Sequence, residues 1–400
     1  MKQLLPLVKR ILLIILIFLS CISYLPRFYT SEGVQIGVFK NGIMLISALV
    51  FVLSLFNRKL YGNKYLHTYI FLFFCVVALT LMYVGSGLNA SLNEIRELAI
   101  PLMALVIGLS LEPNRKFLKA LFVVFILSSV YVGFRQIMTH LGGFVINSQY
   151  LTDSKNSIGG MLGVASTIGM MMALDVENRK PFRIFMLILA FVLLVENLTI
   201  RARSAVVAQL LIVFYLFYKY TREHKVKSST VVLTLLALAI IAVLLPSSFY
   251  HFFYDSFFKG KTEDFLSDRG DRVEKALGIL YANPFFGNLK EGIHVAWVHN
   301  YFLLKAYSFG LLGGLPWLVL YLYIIVKQVK YSLKVKTIRM DNFGFFLLFI
   351  PLFISLAEPT FPYGPGTINF LPFMMLGYSM SVMKPEVRKK VSVHNFEKQR

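Results

Sequence analysis

Residues 181–225 read PFRIFMLILAFVLLVENLTIRARSAVVAQLLIVFYLFYKYTREHK, two long apolar runs separated by Arg201-Ala202-Arg203 and closed by a cationic segment. Crossing a hydrocarbon layer of roughly 30 Å takes about 20 helical residues, and both runs, 182–200 and 204–219, approach that length. Similar runs recur along the chain. They predict helices at 11–25, 35–56, 65–86, 98–111, 117–139, 156–176, 182–200, 204–219, 229–248, 299–326, 343–358 and 366–383. Of 400 residues, 57% are hydrophobic and 15% charged, a balance no water-soluble domain of this length needs to fill its core. The expected fold is all-α: a polytopic membrane protein with about 12 transmembrane helices and one long extracytoplasmic loop.

The formal charge of +21 follows this topology. With the N-terminus inside, the inner connections hold Arg58, Lys59 and Lys64; Arg115 and Lys116; Arg179, Lys180 and Arg183; and Lys219, Arg222, Lys225 and Lys227. Lys327, Lys330, Lys334, Lys336 and Arg339 continue the series, and the tail is basic. That is the positive-inside rule, and it places both termini in the cytoplasm. The distribution speaks for orientation and contact with anionic membrane lipids, and against nucleic acid as a partner. The chain divides into N-terminal helices (1–248), an extracytoplasmic loop (249–298), C-terminal helices (299–383) and a basic cytoplasmic tail (384–400). The first run follows Lys2, Lys9 and Arg10 as a signal peptide would, but Phe18 and Leu19 ahead of Cys21 are too bulky for cleavage. Cys21 and Cys75 lie inside apolar runs and indicate neither a disulfide framework nor a metal site.

Outer cations break the bias in two places: the Arg201-Ala202-Arg203 turn, and the long loop with Lys259, Lys261, Arg269, Arg272, Lys275 and Lys290. Asp271 and Glu274 have capping-box spacing, which predicts an amphipathic helix starting near Arg272 and stopping at Asn283-Pro284. Arg272 and Lys275, three apart, then sit beside the positive end of the helix dipole, a place for phosphate. The competing reading is an interfacial helix whose cations touch headgroups. Arg201 and Arg203 in a turn can reach one ligand, and guanidinium forks bind phosphate oxygens; snorkelling to the interface is the alternative. His299 enters the next span directly after the loop, where a neutral imidazole can take a proton from a hydroxyl or simply be hydrogen-bonded at the interface. The sequence shows no phosphate-binding glycine loop, dinucleotide fingerprint or zinc-type spacing.

Leu198-Thr199-Ile200-Arg201-Ala202-Arg203-Ser204, Gly270-Asp271-Arg272-Val273-Glu274-Lys275-Ala276-Leu277, Asn283-Pro284-Phe285-Phe286-Gly287, and His299-Asn300-Tyr301-Phe302-Leu303 through Gly310-Leu311-Leu312-Gly313 stand in this order. In residues, order and spacing they resemble the bacterial O-antigen ligase and polymerase superfamily, over residues 185–325. The resemblance implies a metal-independent glycosyltransferase without cofactor, in an all-helical fold of the bacterial cytoplasmic membrane. It implies an undecaprenyl-diphosphate-linked oligosaccharide as donor and a glycan or lipid A core as acceptor, in surface polysaccharide or lipopolysaccharide biosynthesis. The family's diphosphate-contacting arginines map onto Arg203 and Arg272, with Lys275 beside the latter; its base maps onto His299, supported by Asn300. Two arginines occupy the first motif, so Arg201 could fill the role given to Arg203. The outer loop is short for a ligase, which tilts the expectation toward a polymerase. The rival expectation is a lipid-linked oligosaccharide flippase, for which mid-span polar residues are few: Lys40, Glu196 and Lys305.

Overall fold

The computed structural model describes residues 4–25, 37–56, 93–141, 155–223, 267–288, 298–335, 337–358 and 367–382, with His251 and single positions between 67 and 81. The helix expected at 229–248, most of that at 65–86, residues 252–266 of the loop, His294 and the basic tail lie outside the described residues. Within the described residues every regular element is helical. These are α1 (Leu4–Ile22), α2 (Gly37–Leu55), α3 (Asn93–Leu109), α4 (Arg115–Leu141), α5 (Lys155–Leu174), α6 (Lys180–Ile200) and α7 (Arg203–Glu223). There follow α8 (Ser267–Ala282), α9 (Tyr301–Lys334), a 3-10 turn (Met340–Asn342), α10 (Gly344–Leu347), α11 (Phe349–Ala357) and α12 (Thr367–Val382).

Among the described residues four helices, over Arg115–Thr139, Asn156–Leu174, Lys180–Ile200 and Arg203–Glu223, are long and apolar enough to cross a membrane. α6 shows the surface that suits such a helix to hydrocarbon. It buries Met186, Ala190 and Leu193 while exposing Ile184, Phe185, Leu187, Ile188 and Phe191. Both faces are apolar, where a helix at a water boundary would carry charge on the outer one. Apolar surroundings give no hydrophobic drive for helix association, so close packing through small residues replaces it. Gly108 of α3 and Gly377 of α12 let two backbones touch: a methyl group there would stand 1.9 Å from the Met374 and 2.2 Å from the Leu105 carbonyl oxygen. Ser166 of α5 donates to the Ala190 carbonyl oxygen of α6 at 2.8 Å.

Two expected spans differ in kind. The run at 343–358 is not one helix but a chain of short ones, α10 and α11 after a 3-10 turn. Pro351 lies in the first turn of α11 just after the break, and without an N–H it leaves the Leu347 carbonyl oxygen with no helical donor. The run at 299–326 extends to Lys334 but is interrupted at Gly310, whose φ of 64° and ψ of −170° are not helical.

One end of the bundle is tied by charge. Arg115 pairs with the fully buried Asp175 at 3.0 Å and also with Glu177. Asp175 accepts from the Met340 backbone N–H at 3.3 Å, and Lys219 donates to the carbonyl oxygens of Ser332 and Val335. Cations read from sequence as serving orientation and lipid contact therefore also join connections to one another. Towards the other end, Tyr215 of α7 meets Phe346 with ring centres 6.0 Å apart, and Gly163 of α5 is flanked by Ala205 and Ile350. From these contacts α7 runs back to Arg203 and α11 runs on to Glu358, which brings both residues to one end.

Candidate functional site

α6 ends on Arg201 with φ 62° and ψ 34°, among the described residues the one position other than glycine with positive φ. A left-handed conformation costs a residue with a Cβ about 1–2 kcal/mol, so its surroundings must hold it there. They do. The Arg201 N–H donates to Leu198 O at 3.0 Å, and Ala202 N–H to Asn197 O at 3.4 Å. The buried Asn197 donates through Nδ2 to the Gly159 carbonyl oxygen and to Gln209 Oε1, each at 3.2 Å. Ala202 rests on Gly159 so closely that a methyl group there would stand 2.0 Å from its Cβ. The turn is thereby bound to α5, and Arg201 and Arg203 leave it half-buried.

His299 immediately precedes the cap of α9. Its Nδ1 lies 3.1 Å from Oε2 of Glu358, the residue that ends α11. The carboxylate accepts the Nδ1 hydrogen, which leaves Nε2 as the basic nitrogen. The imidazole is partly exposed, its side chain at 28%, whereas that of Glu358 is at 11%. Asn300 fixes the pair from beneath. Its Oδ1 accepts from the backbone N–H groups of Phe302 and Leu303, both at 3.0 Å, and its Nδ2 donates to the Leu356 carbonyl oxygen at 3.0 Å. One side chain thus caps α9 and ties it to the end of α11, so His299 and Glu358 cannot drift apart independently.

The loop helix stops where Asn283-Pro284 predicts, since α8 ends at Ala282. Its start is a correction: α8 begins at Ser267, so Asp271 lies inside the helix and caps nothing. Arg272 is then in the second turn, beyond the free backbone donors of the first, and the dipole argument for phosphate there fails. Ala276 is fully buried with Val298, Leu304 and Tyr307, and Val273 and Leu303 pack against this cluster. Arg272 is half-buried beside that apolar face and Lys275 is exposed. α8 accordingly lies on the first turns of α9, just after His299.

No protein-family model matches the chain, and no curated protein matches it.

Of the residues singled out from sequence, His299 and Asn300 stand together where α9 begins, and Arg201 and Arg203 lie in the turn between α6 and α7, toward the same end of the bundle. Sequence reasoning missed the pairing of Glu358 with His299, because 59 residues separate the two. A carboxylic residue closing an apolar run just before Pro359 was the available signal. The Asn197–Gln209–Gly159 network was missed as well; Asn197 and Gln209 are uncharged polar residues in apolar runs, a pattern that marks interhelical hydrogen bonds. Among the described residues no three His, Cys, Asp or Glu side chains stand together as a metal site.

Proposed function

We propose that this protein transfers a glycan from an undecaprenyl-diphosphate-linked donor to a hydroxyl acceptor at the outer face of the bacterial cytoplasmic membrane, as an O-antigen polymerase or ligase does. In this reading the chain crosses the bilayer about 12 times with both termini cytoplasmic. The observation that carries it is the His299–Glu358 pair, 3.1 Å apart, at the bundle end that also holds the Arg201–Arg203 turn. A base and a guanidinium pair are the two things such a transfer requires.

The acceptor oxygen forms a bond to the anomeric carbon as the bond from that carbon to the diphosphate oxygen breaks. The hydroxyl proton passes to Nε2 of His299, and the departing electron pair leaves on the lipid diphosphate. Guanidinium forks from Arg203 or Arg201, and Arg272 with Lys275 on α8, offset the charge on that leaving group. Glu358 stabilises the imidazolium that forms. The short outer loop favours joining of repeat units over transfer to lipid A core. The test is single-turnover transfer by purified protein in nanodiscs with lipid-linked donor: the His299→Ala variant is expected to bind donor and fail to transfer it. Wild-type protein that forms no glycosidic product from any such donor overturns the reading.

A lipid-linked oligosaccharide flippase is the second reading. Glu196 of α6 favours it, because it is buried, and buried ionisable groups in membrane helices mark transport routes. Movement of labelled donor across proteoliposomes without product formation would select it.

A further inference from the structure

The turn after α8 presents Tyr281, Phe285 and Phe286 to the outside, 81%, 59% and 53% exposed. It is nevertheless firmly held. Leu311 N–H donates to the Pro284 carbonyl oxygen at 2.7 Å, Leu312 N–H to that of Phe285 at 3.2 Å, and Asn288 N–H to that of Tyr307 at 2.8 Å. Gly287 and Gly310 permit this: a Cβ on the first would stand 2.3 Å from Tyr307 O, and on the second 2.4 Å from Phe285 O. The interruption of α9 at Gly310 is thus filled by the loop turn, and the aromatic rings stand next to Leu311 and Leu312.

The depth of this turn follows from α9 itself. No charged residue lies between Lys305 and Lys327, and Lys327, Lys330 and Lys334 close the helix. At a rise of 1.5 Å per residue, about 20 residues cross the hydrocarbon, and counting back from Lys327 to Lys330 ends near Gly310. Leu318, Leu322 and Val326 are exposed along the same stretch, as a lipid-facing side requires. We propose that Tyr281, Phe285 and Phe286 form an interfacial anchor, seated in the headgroup region of the bilayer leaflet opposite the Lys327 end. Its occupant is bilayer lipid. Aromatic rings concentrate at that depth because an apolar ring gains from leaving water while the tyrosine hydroxyl stays hydrated. The exposed apolar patch is continuous with the lipid-facing side of α9, so one solvent covers both. The anchor holds α8, and with it Arg272, at the membrane surface whatever chemistry the protein performs.

The experiment uses the full chain in nanodiscs, with Trp297→Phe and Trp317→Phe removing both native tryptophans. Phe285→Trp or Phe286→Trp then reports the turn, and Phe191→Trp on the outward side of α6 reports mid-bilayer. Phospholipids brominated near the glycerol end of the acyl chain are expected to quench most of the fluorescence at 285 or 286, and those brominated near the methyl end to quench little. The reverse order is expected at 191. Absence of bromolipid quenching at both 285 and 286 overturns the proposal, whether the rings prove open to aqueous acrylamide or shielded from it by a second protein chain.

Discussion

An imidazole has two nitrogens, and a carboxylate on one of them decides which is left to do chemistry. In the proposed transfer His299→Ala lowers single-turnover transfer about 100- to 10,000-fold, the usual worth of general-base assistance, with donor affinity kept. Glu358→Gln preserves the shape of the contact but cannot offset the imidazolium charge, so it is expected to slow transfer in the same direction, also without weakening donor binding. Equal transfer by wild type and both variants would remove the pair from the chemistry. Arg201 allows a separate test, because its left-handed backbone suits glycine better. Arg201→Gly is expected to retain or slightly raise thermal stability, by up to about 1 kcal/mol, since the strain is relieved. Loss of transfer in that stable variant identifies the guanidinium as functional; full transfer leaves diphosphate binding to Arg203 and Arg272.

Helices here are placed by their interruptions as much as by their length. α9 is broken at Gly310 by a backbone conformation that is essentially restricted to glycine. Gly310→Ala therefore meets both strain and collision with Phe285, 2.4 Å from the added carbon. It is expected to lower the unfolding temperature and to open the 283–287 turn to protease in membranes or detergent. Wild-type protection would show that the turn is not locked to α9. At the other end of the same segment, Asn300→Ala removes a cap worth about 1 kcal/mol together with the tether to Leu356. The accompanying loss of transfer is expected to exceed the loss of stability, because the tether also sets the His299–Glu358 distance.

For the whole molecule, orientation is the property on which the proposed chemistry depends. In the proposed topology Lys225 is inside and Lys261 outside. With Cys21 and Cys75 replaced by alanine, Lys261→Cys is expected to react with an impermeant thiol reagent in intact cells, after permeabilising any outer membrane, and Lys225→Cys only after lysis. The opposite pattern inverts the topology and removes the mechanism with it. The ion pairs of Arg115 with Asp175 and Glu177 tie together two connections that charge bias alone would leave separate.

Period and composition determined the helical class and placed most of the described helices, because an apolar run has to hide its backbone polar groups within itself, although α1 and α3 start earlier and α9 ends later than the runs indicate. The stop of α8 was legible for an equally local reason, the proline after Asn283. Its start was not: the capping pattern at Asp271 competes with further helix before it, and α8 runs back to Ser267. Only tertiary structure decided that Glu358 belongs to His299, that Asn197 and Gly159 hold the Arg201–Arg203 turn, and that the 283–287 turn occupies the break at Gly310. Each of these contacts joins segments far apart in the chain, and their partners are chosen by which helices pack side by side, a choice that no local pattern encodes.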